Sequence, residues 1–447
     1  MVSCFLSRFR TYGDREALIC GDRAVSYLWL ADQVEVCAKE LGQSGVDAGA
    51  TVLVEADFSP EAVALFFALV ERGCIVIPLS SPTDTQRERC AEIGEAEWRV
   101  TLDLKTGDFS CERTARTARH DLFRELRKRR HPGLVLFSSG STGDPKAAVH
   151  DMVPLLDRVR GEGKAFRAIS FLLYDHIGGI NTMLYVLSHG GCLITVPDRD
   201  PDGVLAAVER HRAELLPTSP TFLNLVLISE ADHRHDLSSL KRITYGTEPM
   251  PESTLRRVHE RLPHVRLQQT YGLSEVGIMS TRSRRSDSLW MQVGGDGYQT
   301  RVVDGMLEIK ARSAMLGYLN APSPFTDDGW FQTGDAVEVD GDYMRILGRK
   351  SELINVGGEK VYPTEVEAVL EDLDIVREAR VTGEPNPLTG HIVCADVVLA
   401  DPALPAKEAR TRIRRHCEQA LQRYKVPVRI RIVAGPLHTG RFKKHRQ

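Results

Sequence analysis

The sequence predicts an α/β protein in which a large N-terminal domain of doubly wound sheets with a small β-barrel-like part precedes a small α+β unit. Three patterns indicate this. Strand and helix patterns alternate from the N-terminus to Glu275, hairpin patterns run from Trp290 to Gly348, and helix and strand patterns resume past Arg349. The 447 residues are too many for one ordinary core. We therefore expect a core domain of residues 1–349 and a C-terminal domain of residues 350–447.

The first elements show the alternation clearly. Residues 27–45 repeat apolar side chains at helical spacing, and residues 51–54 form a short β-type run. Ser59 and Pro60 are typical of the N-cap and first turn of the next helix. Residues 74–79 are apolar throughout, as in a buried strand. This order favours a parallel sheet covered by helices.

A loop of small polar residues follows the apolar strand at residues 134–137. Its glycines allow sharp turns that point N–H groups at an anion, and its hydroxyls and one lysine add donors and positive charge. The composition indicates a phosphate-binding loop, although the common GxxxxGK[ST] pattern cannot be fitted and a plain surface loop has similar composition. The residues expected to bind phosphate are Ser138, Ser139, Gly140, Ser141, Thr142, Gly143 and Lys146.

Three more strand ends carry glycine and polar residues. A strand that starts at Phe171 runs into Asp175 and His176 before an apolar helix, and strands at 242–245 and 265–268 lead into further loops. Ligands of doubly wound sheets gather at such strand ends, so we expect one shared cleft. The residues of the two later loops are Gly246, Thr247, Glu248, Pro249, Thr270, Tyr271, Gly272, Ser274 and Glu275.

The C-terminal part begins a helix near Tyr362, and a second helix is predicted for residues 406–424. Strands at residues 392–398 and 428–433 complete the α+β unit.

Composition excludes several classes of protein. The formal charge of -3 gives no sign of a nucleic-acid partner, and no apolar run approaches the roughly 18 residues of a membrane span. The start of the chain lacks a secretory apolar region, and the nine cysteines lack zinc-site spacing. We expect a cytoplasmic protein without a membrane span.

Five motifs in series resemble those of the adenylate-forming superfamily, which contains acyl-CoA synthetases, peptide-synthetase adenylation domains and luciferases. SSGSTGDPK resembles its phosphate loop, YGTEP its adenine-side loop and TYGLSE its YGxTE motif, with Ser274 in place of threonine. GWFQTGD resembles its ribose motif, and GRKSELINVGGEKVYPTEVE the start of its mobile lid domain. The motifs keep the order of the superfamily over about 230 residues.

The resemblance implies that a small-molecule carboxylic acid attacks the α-phosphorus of ATP, which gives acyl-AMP and pyrophosphate. It implies that Glu275 binds Mg²⁺, Ser274 donates to the α-phosphate, Tyr271 lies against adenine, and Asp335 and Arg349 bind the ribose. Each residue also has a structural interpretation: a helix start for Glu275, a turn for Asp335, the core for Tyr271 and the surface for Arg349.

Three further assignments follow from the same resemblance. His176 corresponds to the residue that gates the acyl pocket, although a lone histidine beside glycines is often structural. The charge of Asp175 could meet a polar substrate or only cap the helix that follows, and we favour the cap. Gly357 and Gly358 resemble the backbone along which pantetheine enters, although a tight turn has the same sequence. The acyl pocket is expected to favour an aryl or medium acyl carboxylate over an amino acid.

The C-terminal tail departs from the family pattern. The superfamily carries a late catalytic lysine in a GKxxR context, and its lid rotates between adenylation and thioester formation. Counting from Gly440 puts Arg441 at that position, whereas the K-x-x-R spacing puts Lys443 there, with Arg446 completing it. We favour Lys443, because arginine is no neutral substitute for the lysine point charge.

The acceptor of the acyl group stays open at this point. The leading hypothesis is an acid–CoA ligase that uses ATP, Mg²⁺ and CoA. One alternative is an adenylation enzyme that passes the acyl group to a carrier protein's phosphopantetheine or to an amine. A second is a catalytically silent nucleotide- or acyl-binding homologue.

Overall fold

The computed structural model describes residues 3–103, 106–138, 145–438 and Lys444. Its helices are α1 Ser3–Tyr12, α2 Tyr27–Gln43, α3 Pro60–Glu71, α4 Asp84–Ile93, α5 Asp121–Arg129, α6 Met152–Asp157, α7 Ile177–Ser188, α8 Pro201–His211, α9 Pro220–Ser229, α10 Glu252–Arg261, α11 Pro363–Glu371 and α12 Ala406–Ala420. Its strands are β1 Glu16–Cys20, β2 Arg23–Ser26, β3 Thr51–Glu55, β4 Ile75–Leu79, β5 Trp98–Leu102, β6 Phe109–Arg113, β7 Gly133–Ser138, β8 Lys146–Asp151, β9 Arg167–Ser170, β10 Cys192–Thr195, β11 Leu215–Thr218, β12 Arg242–Tyr245, β13 Arg266–Gln269, β14 Gly272–Leu273, β15 Gly277–Ile278, β16 Ser280–Ser283, β17 Met291–Gly294, β18 Tyr298–Val303, β19 Met306–Ala311, β20 Gly317–Tyr318, β21 Phe331–Asp340, β22 Tyr343–Arg349, β23 Ile354–Val356, β24 Glu359–Val361, β25 Val376–Asn386, β26 Gly390–Leu399 and β27 Arg429–Ile432.

Two large sheets form the body of the molecule. One has the order β13-β12-β11-β9-β10-β1-β2 and is parallel except for β2. The other has the order β20-β8-β7-β4-β3-β5-β6, with parallel pairing at its centre and antiparallel pairing at both edges. The predicted doubly wound α/β architecture is confirmed.

The main hydrophobic core lies between these two sheets. It contains side chains from strands of both sheets and from α2, α3 and α7, and nearly every residue of α3 is buried. A local sequence signal starts α3 as predicted. The Ser59 hydroxyl accepts the N–H of Ala62 at 3.0 Å, and Pro60 occupies the first turn.

A third, antiparallel sheet follows in the order β16-β17-β22-β21-β19-β18. Its inner face packs into a cluster that also contains Tyr271 and Ala148, so this barrel-like part joins the body of the molecule at the strand ends. In this sheet Asp335 of β21 pairs directly with Arg349 of β22.

The C-terminal unit has its own core. Strands β23 to β27 form one sheet, and α11 and α12 cover it through buried residues that include Val366, Leu370 and Ile413. The exact boundary at residue 349 stays a prediction. No helix in the described ranges is both long and apolar enough to cross a membrane.

Two expectations about local structure were wrong. The helix predicted for residues 406–424 ends at Ala420, because Leu421 adopts an extended backbone before a short 3-10 turn at Arg423–Lys425. A strand was predicted from Phe171 up to Asp175, but β9 ends at Ser170 and the chain then runs irregularly to α7. In both places the sequence pattern continues past the point where the regular backbone structure ends.

Candidate active site

Three predicted site residues meet where the first sheet joins the barrel-like sheet. The Tyr271 hydroxyl donates a hydrogen bond to Oδ2 of Asp335. The Arg349 Nε lies 3.3 Å from Oδ1 of the same carboxylate, and the Asp335 N–H donates to the Thr333 hydroxyl at 2.9 Å. Asp335 is therefore held on both oxygens, and the interpretation of Asp335 as a simple turn residue was wrong, since it lies within β21.

Burial changes the pKa values of Asp335 and Tyr271. Asp335 is only 5% exposed, and burial raises its pKa above the ordinary value, although the Arg349 guanidinium opposes that shift. Burial and the Asp335 charge also raise the pKa of Tyr271 well above its ordinary value, so its hydroxyl keeps the proton that it donates. A fixed carboxylate of this kind can accept hydrogen bonds from hydroxyl donors such as those of a ribose.

Ser274 and Glu275 occupy the tight turn between β14 and β15. Glu275 does not begin a helix, so that alternative was wrong. The fully buried His150 on β8 lies with Nε2 2.5 Å from the Ser274 carbonyl oxygen, and burial lowers its pKa to about 4. Neutral His150 must donate from Nε2, and this bond ties the turn to the strand that follows the phosphate loop.

Glu275 also belongs to a short polar chain. The Tyr318 hydroxyl donates to Oε1 of Glu275 at 2.5 Å, and the Lys146 ammonium lies 5.7 Å from the centre of the Tyr318 ring. Burial and the neighbouring carboxylate raise the pKa of Tyr318. Among the described residues, Oε2 of Glu275 has no hydrogen-bond partner, so one hard oxygen remains to bind a cation.

The phosphate loop connects two antiparallel strands. Ser138 at the end of β7 pairs with Lys146 at the start of β8. The expected ligands Ser139, Gly140, Ser141, Thr142 and Gly143 lie outside the described residues. Asn320 holds the far end of the loop, because its amide donates to the Pro145 carbonyl at 2.9 Å and accepts the Ala147 N–H at 3.0 Å.

The loop of residues 246–249 packs against the neighbouring strand end. A Cβ on Gly246 would come within 2.6 Å of the Thr270 hydroxyl oxygen, so only glycine fits. Thr247 has φ +73°, an unfavourable conformation for a β-branched residue and one often found at binding sites. Glu248 and Pro249 line a cleft between the core and the C-terminal unit.

His176 caps α7, and Asp175 does not. The His176 Nδ1 accepts the Gly178 N–H at 3.0 Å, whereas the Asp175 carboxylate accepts the Ser80 N–H at 3.2 Å. The interpretation of Asp175 as the helix cap was therefore wrong by one residue. A Cβ on Gly179 would lie 2.1 Å from the Leu173 carbonyl oxygen, so the start of α7 packs tightly on the chain before it.

The C-terminal unit contributes two regions. Gly357 and Gly358 form the turn between β23 and β24 with φ of +62° and +94°, and open space surrounds both. Lys443 and Arg441, the two candidates for the late lysine, lie outside the described residues. Lys444 is described, and it lies at the cleft that Glu248 and Pro249 line.

Comparison with known proteins accounts for this arrangement. Residues 5–313 match the model of the AMP-binding enzyme family, and residues 365–443 match that of the AMP-binding enzyme C-terminal domain. The chain belongs to the AMP-binding enzyme family. The predicted superfamily, fold class and enzyme class, a ligase that acts through an acyl-adenylate, are thereby confirmed.

Individual relatives match most of the length of this AMP-binding enzyme. An indoleacetate–CoA ligase of Aromatoleum aromaticum is 28% identical over 92% of the chain and 89% of its own length. Triostin synthetase I of Streptomyces triostinicus is 29% identical over 94% of the chain and 88% of its own length. The crystal structure of the anthranilate CoA ligase AuaEII with anthranoyl-AMP has the same fold, with a TM-score of 0.84, 21% identity, and coverage of 100% of this chain and 97% of that one.

Sequence reasoning missed three residues that hold the site of this AMP-binding enzyme. Tyr318 and Asn320 reach it from β20 and the segment after it, and His150 from β8. For Tyr318 and Asn320 the only local signal in the sequence was the Gly-Tyr pair with an asparagine two residues later. The pairing of β20 with β8 across some 170 residues, which places them, cannot be read from a motif.

Proposed function

We propose that this enzyme activates a carboxylic acid with ATP and transfers the acyl group to CoA. The observation that supports it best is the convergence of the Ser274–Glu275 turn, the Tyr271–Asp335–Arg349 group and the loop of residues 246–249 on adjoining strand ends. Four separate sequence motifs thus supply parts of one proposed site. The family and the indoleacetate–CoA ligase relative support the same reaction.

The first step joins two anions, so its catalysis is mainly electrostatic. A carboxylate oxygen attacks the α-phosphorus, and the bond to the pyrophosphate oxygen breaks. Lys146 and the N–H groups of the phosphate loop would hold the β- and γ-phosphates, and Ser274 would donate to the α-phosphate. Asp335 would accept from both ribose hydroxyls, with Tyr271 and Arg349 fixing its orientation. Tyr271 would also lie beside the adenine.

Glu275 fits a role as the single protein ligand of Mg²⁺. One carboxylate oxygen is held by Tyr318 and the other has no described hydrogen-bond partner. No group of three or more His, Cys, Asp or Glu side chains placed for a metal is found in the described ranges. That matches magnesium bound mostly by nucleotide phosphates and water, which is its usual mode in such sites. The cation neutralises the charge of the phosphates.

The second step would use another orientation of the C-terminal domain, residues 350–447. The Gly357–Gly358 turn offers backbone without side chains, which suits close passage of a pantetheine chain. His176 at the start of α7 would border the acyl pocket. We propose an aryl carboxylic acid as the substrate class, which the indoleacetate–CoA ligase relative supports. A location in the cytoplasm belongs to the same proposal.

Pyrophosphate release across a panel of aryl, acyl and amino acids, with and without CoA, tests this function. Acid-dependent release together with an acyl-CoA mass, seen only when CoA is present, is the expected outcome. Release without acyl-CoA would reassign the acceptor to a carrier protein or an amine. If no acid gives release, the catalytically silent homologue becomes the better description, and ATP affinity would identify it.

A further inference from the structure

A largely enclosed lysine, Lys444, joins the two domains at the cleft beside the adenine-side loop. The Lys444 ammonium lies 2.6 Å from Oε1 of Glu371 and 3.3 Å from Oε2 of Glu367, and its side chain is only 13% exposed. The two carboxylates are 4% and 2% exposed and stand one turn apart on α11. One cation therefore faces two acids inside the C-terminal domain.

This carboxylate pair is built into the C-terminal domain. The Val381 N–H donates to Glu367 at 2.9 Å, and the Ala379 N–H donates to Glu371 at 3.3 Å. Oε2 of Glu371 is buried without a hydrogen-bond partner among the described residues. Removal of the lysine would take away the cation that these two buried carboxylates share.

The backbone of the same residue reaches the other domain. The Lys444 N–H donates to Oε2 of Glu248 at 3.2 Å, and Oε1 of Glu248 accepts the N–H of Thr221 at 2.8 Å. Glu248 belongs to the adenine-side loop, and Thr221 lies in the first turn of α9. Lys444 thus has its side chain in the C-terminal domain and its N–H on the core.

Leu437 and His438 are held on the C-terminal domain as well. His438 pairs with Lys444 as an antiparallel bridge, and Glu378 accepts the Leu437 N–H at 3.1 Å and contacts the His438 Nδ1 at 3.1 Å. Both candidates for the late lysine, Arg441 and Lys443, stand in the sequence between these two anchored residues.

We infer that Lys444 is a positioning residue for adenylation: it joins the α11 carboxylates to Glu248 and so sets the domain orientation in which the acid is activated. The inference rests on the proposed function, in which the C-terminal domain moves between two half-reactions. The contact with Glu248 exists only while the two domains meet as they do here. Its loss should slow acyl-AMP formation and spare the thioester step.

The same interface contains a matched control. Arg256 of α10 and Asp372 at the end of α11 form an ion pair of 2.6 Å across the two domains, with side chains 54% and 45% exposed. Exposed pairs contribute little because water and salt screen them. Asp372→Asn therefore breaks an inter-domain contact without touching the buried one.

The kinetic test separates the two half-reactions. ATP–pyrophosphate exchange with an acid accepted by the wild type reports adenylation, and a synthetic acyl-adenylate with CoA reports the thioester step. Lys444→Met should lower exchange by at least about tenfold and change the thioester step by less than about twofold. Lys444→Arg should restore exchange, and Asp372→Asn should change neither step. Equal losses in both steps would overturn the inference.

A second measurement needs no substrate, so it stands even if the proposed function fails. Hydrogen–deuterium exchange of the apo-protein should rise in residues 219–225 and 363–371 in both Lys444→Met and Glu248→Gln, and stay unchanged in Asp372→Asn. Glu248→Gln leaves the α11 carboxylates and their lysine intact, which guards against misfolding of the C-terminal domain. Unchanged exchange in the two variants would refute the inter-domain role, whereas a wild type inactive with every acid would refute only the proposed function.

Discussion

The Tyr271 hydroxyl donates a hydrogen bond to Oδ2 of Asp335, and this bond joins the end of the first sheet to the barrel-like sheet. Arg349, the cross-strand partner of Asp335, takes the other oxygen. Two sequence motifs more than 60 residues apart therefore act as one group. Together, Tyr271 and Arg349 fix the position of the Asp335 carboxylate, and the Arg349 guanidinium opposes its negative charge.

Loss of this hydrogen bond should weaken nucleotide binding. Tyr271→Phe keeps the ring but frees one oxygen of a buried carboxylate, and we expect the KM for ATP to rise about tenfold. Asp335→Asn should cost more, about 100-fold in kcat/KM for ATP, because the ribose acceptor itself is altered. Initial rates of pyrophosphate exchange at varied ATP measure both effects. Tyr298→Phe, which removes a hydroxyl bound to Ser313 in the same region, is the control and should leave the KM for ATP unchanged.

Glu275 should govern the magnesium requirement. Glu275→Gln removes the charge expected to bind the cation, and adenylation should fall about 100-fold, with a higher Mg²⁺ concentration at half-maximal rate. Tyr318→Phe only frees Oε1, so a drop of about threefold is expected. Magnesium titration of the exchange rate measures both. An unchanged magnesium dependence in Glu275→Gln would argue against the assignment, and the exposed Glu338→Gln serves as the control.

His150 should make stability depend on pH. Its folded-state pKa of about 4 lies below the ordinary 6.5, so the unfolded chain binds this proton more tightly. The stability linked to His150 is therefore fully present above pH 6.5 and is lost as the pH falls towards 4. Between pH 7 and pH 5 the loss should be about 2 kcal/mol in the free energy of unfolding.

Urea unfolding of the wild type and His150→Gln at both pH values measures this contribution. The variant lacks the titrating group, so the difference in free energy between the two proteins should change by that amount. A parallel pH response in the two proteins would mean that His150 is protonated or exposed in the folded state. The free energy of unfolding of the variant at pH 7 also shows how much the hydrogen bond to the Ser274 carbonyl contributes to stability.

Lys443 is predicted to be the late catalytic lysine. Lys443→Ala should lower acyl-AMP formation by about 100-fold and leave the thioester step from a synthetic acyl-adenylate intact. Arg441→Ala is the matched test of the alternative count from Gly440. If only Arg441→Ala loses adenylation, the position belongs to Arg441, and an arginine has replaced the lysine of the family.

The sequence predicted the helices and strands better than the tertiary contacts between them. The start and the buried character of α3 could be predicted from the local sequence, since its cap at Ser59, its Pro60 and its apolar residues act through near neighbours in the chain. The helix at residues 406–424 was predicted too long, since Leu421 leaves the helix although the residues after it keep a helical composition. Such ends depend on tertiary packing that no short pattern records.

Site residues could be predicted from the sequence where a single motif indicates the role of a residue. Glu275, Asp335 and Arg349 stood out through the resemblance, and the structure brings them to adjoining strand ends. Tyr318 and His150 did not stand out, because their roles arise only when β20 and β8 pair and the Ser274 turn lies beside them. Lys444 had no predicted role, yet its ammonium lies between two buried glutamates of α11.

Isotope transfer from the carboxylic acid tests the central claim most directly. The enzyme is given an ¹⁸O-labelled carboxylate that supports pyrophosphate release, with ATP and CoA, and the products are analysed by mass spectrometry. Attack on the α-phosphorus predicts that one labelled oxygen appears in AMP once the acyl group has moved to the thiol. Label in inorganic phosphate, with ADP as the nucleotide product, would contradict activation through an acyl-adenylate.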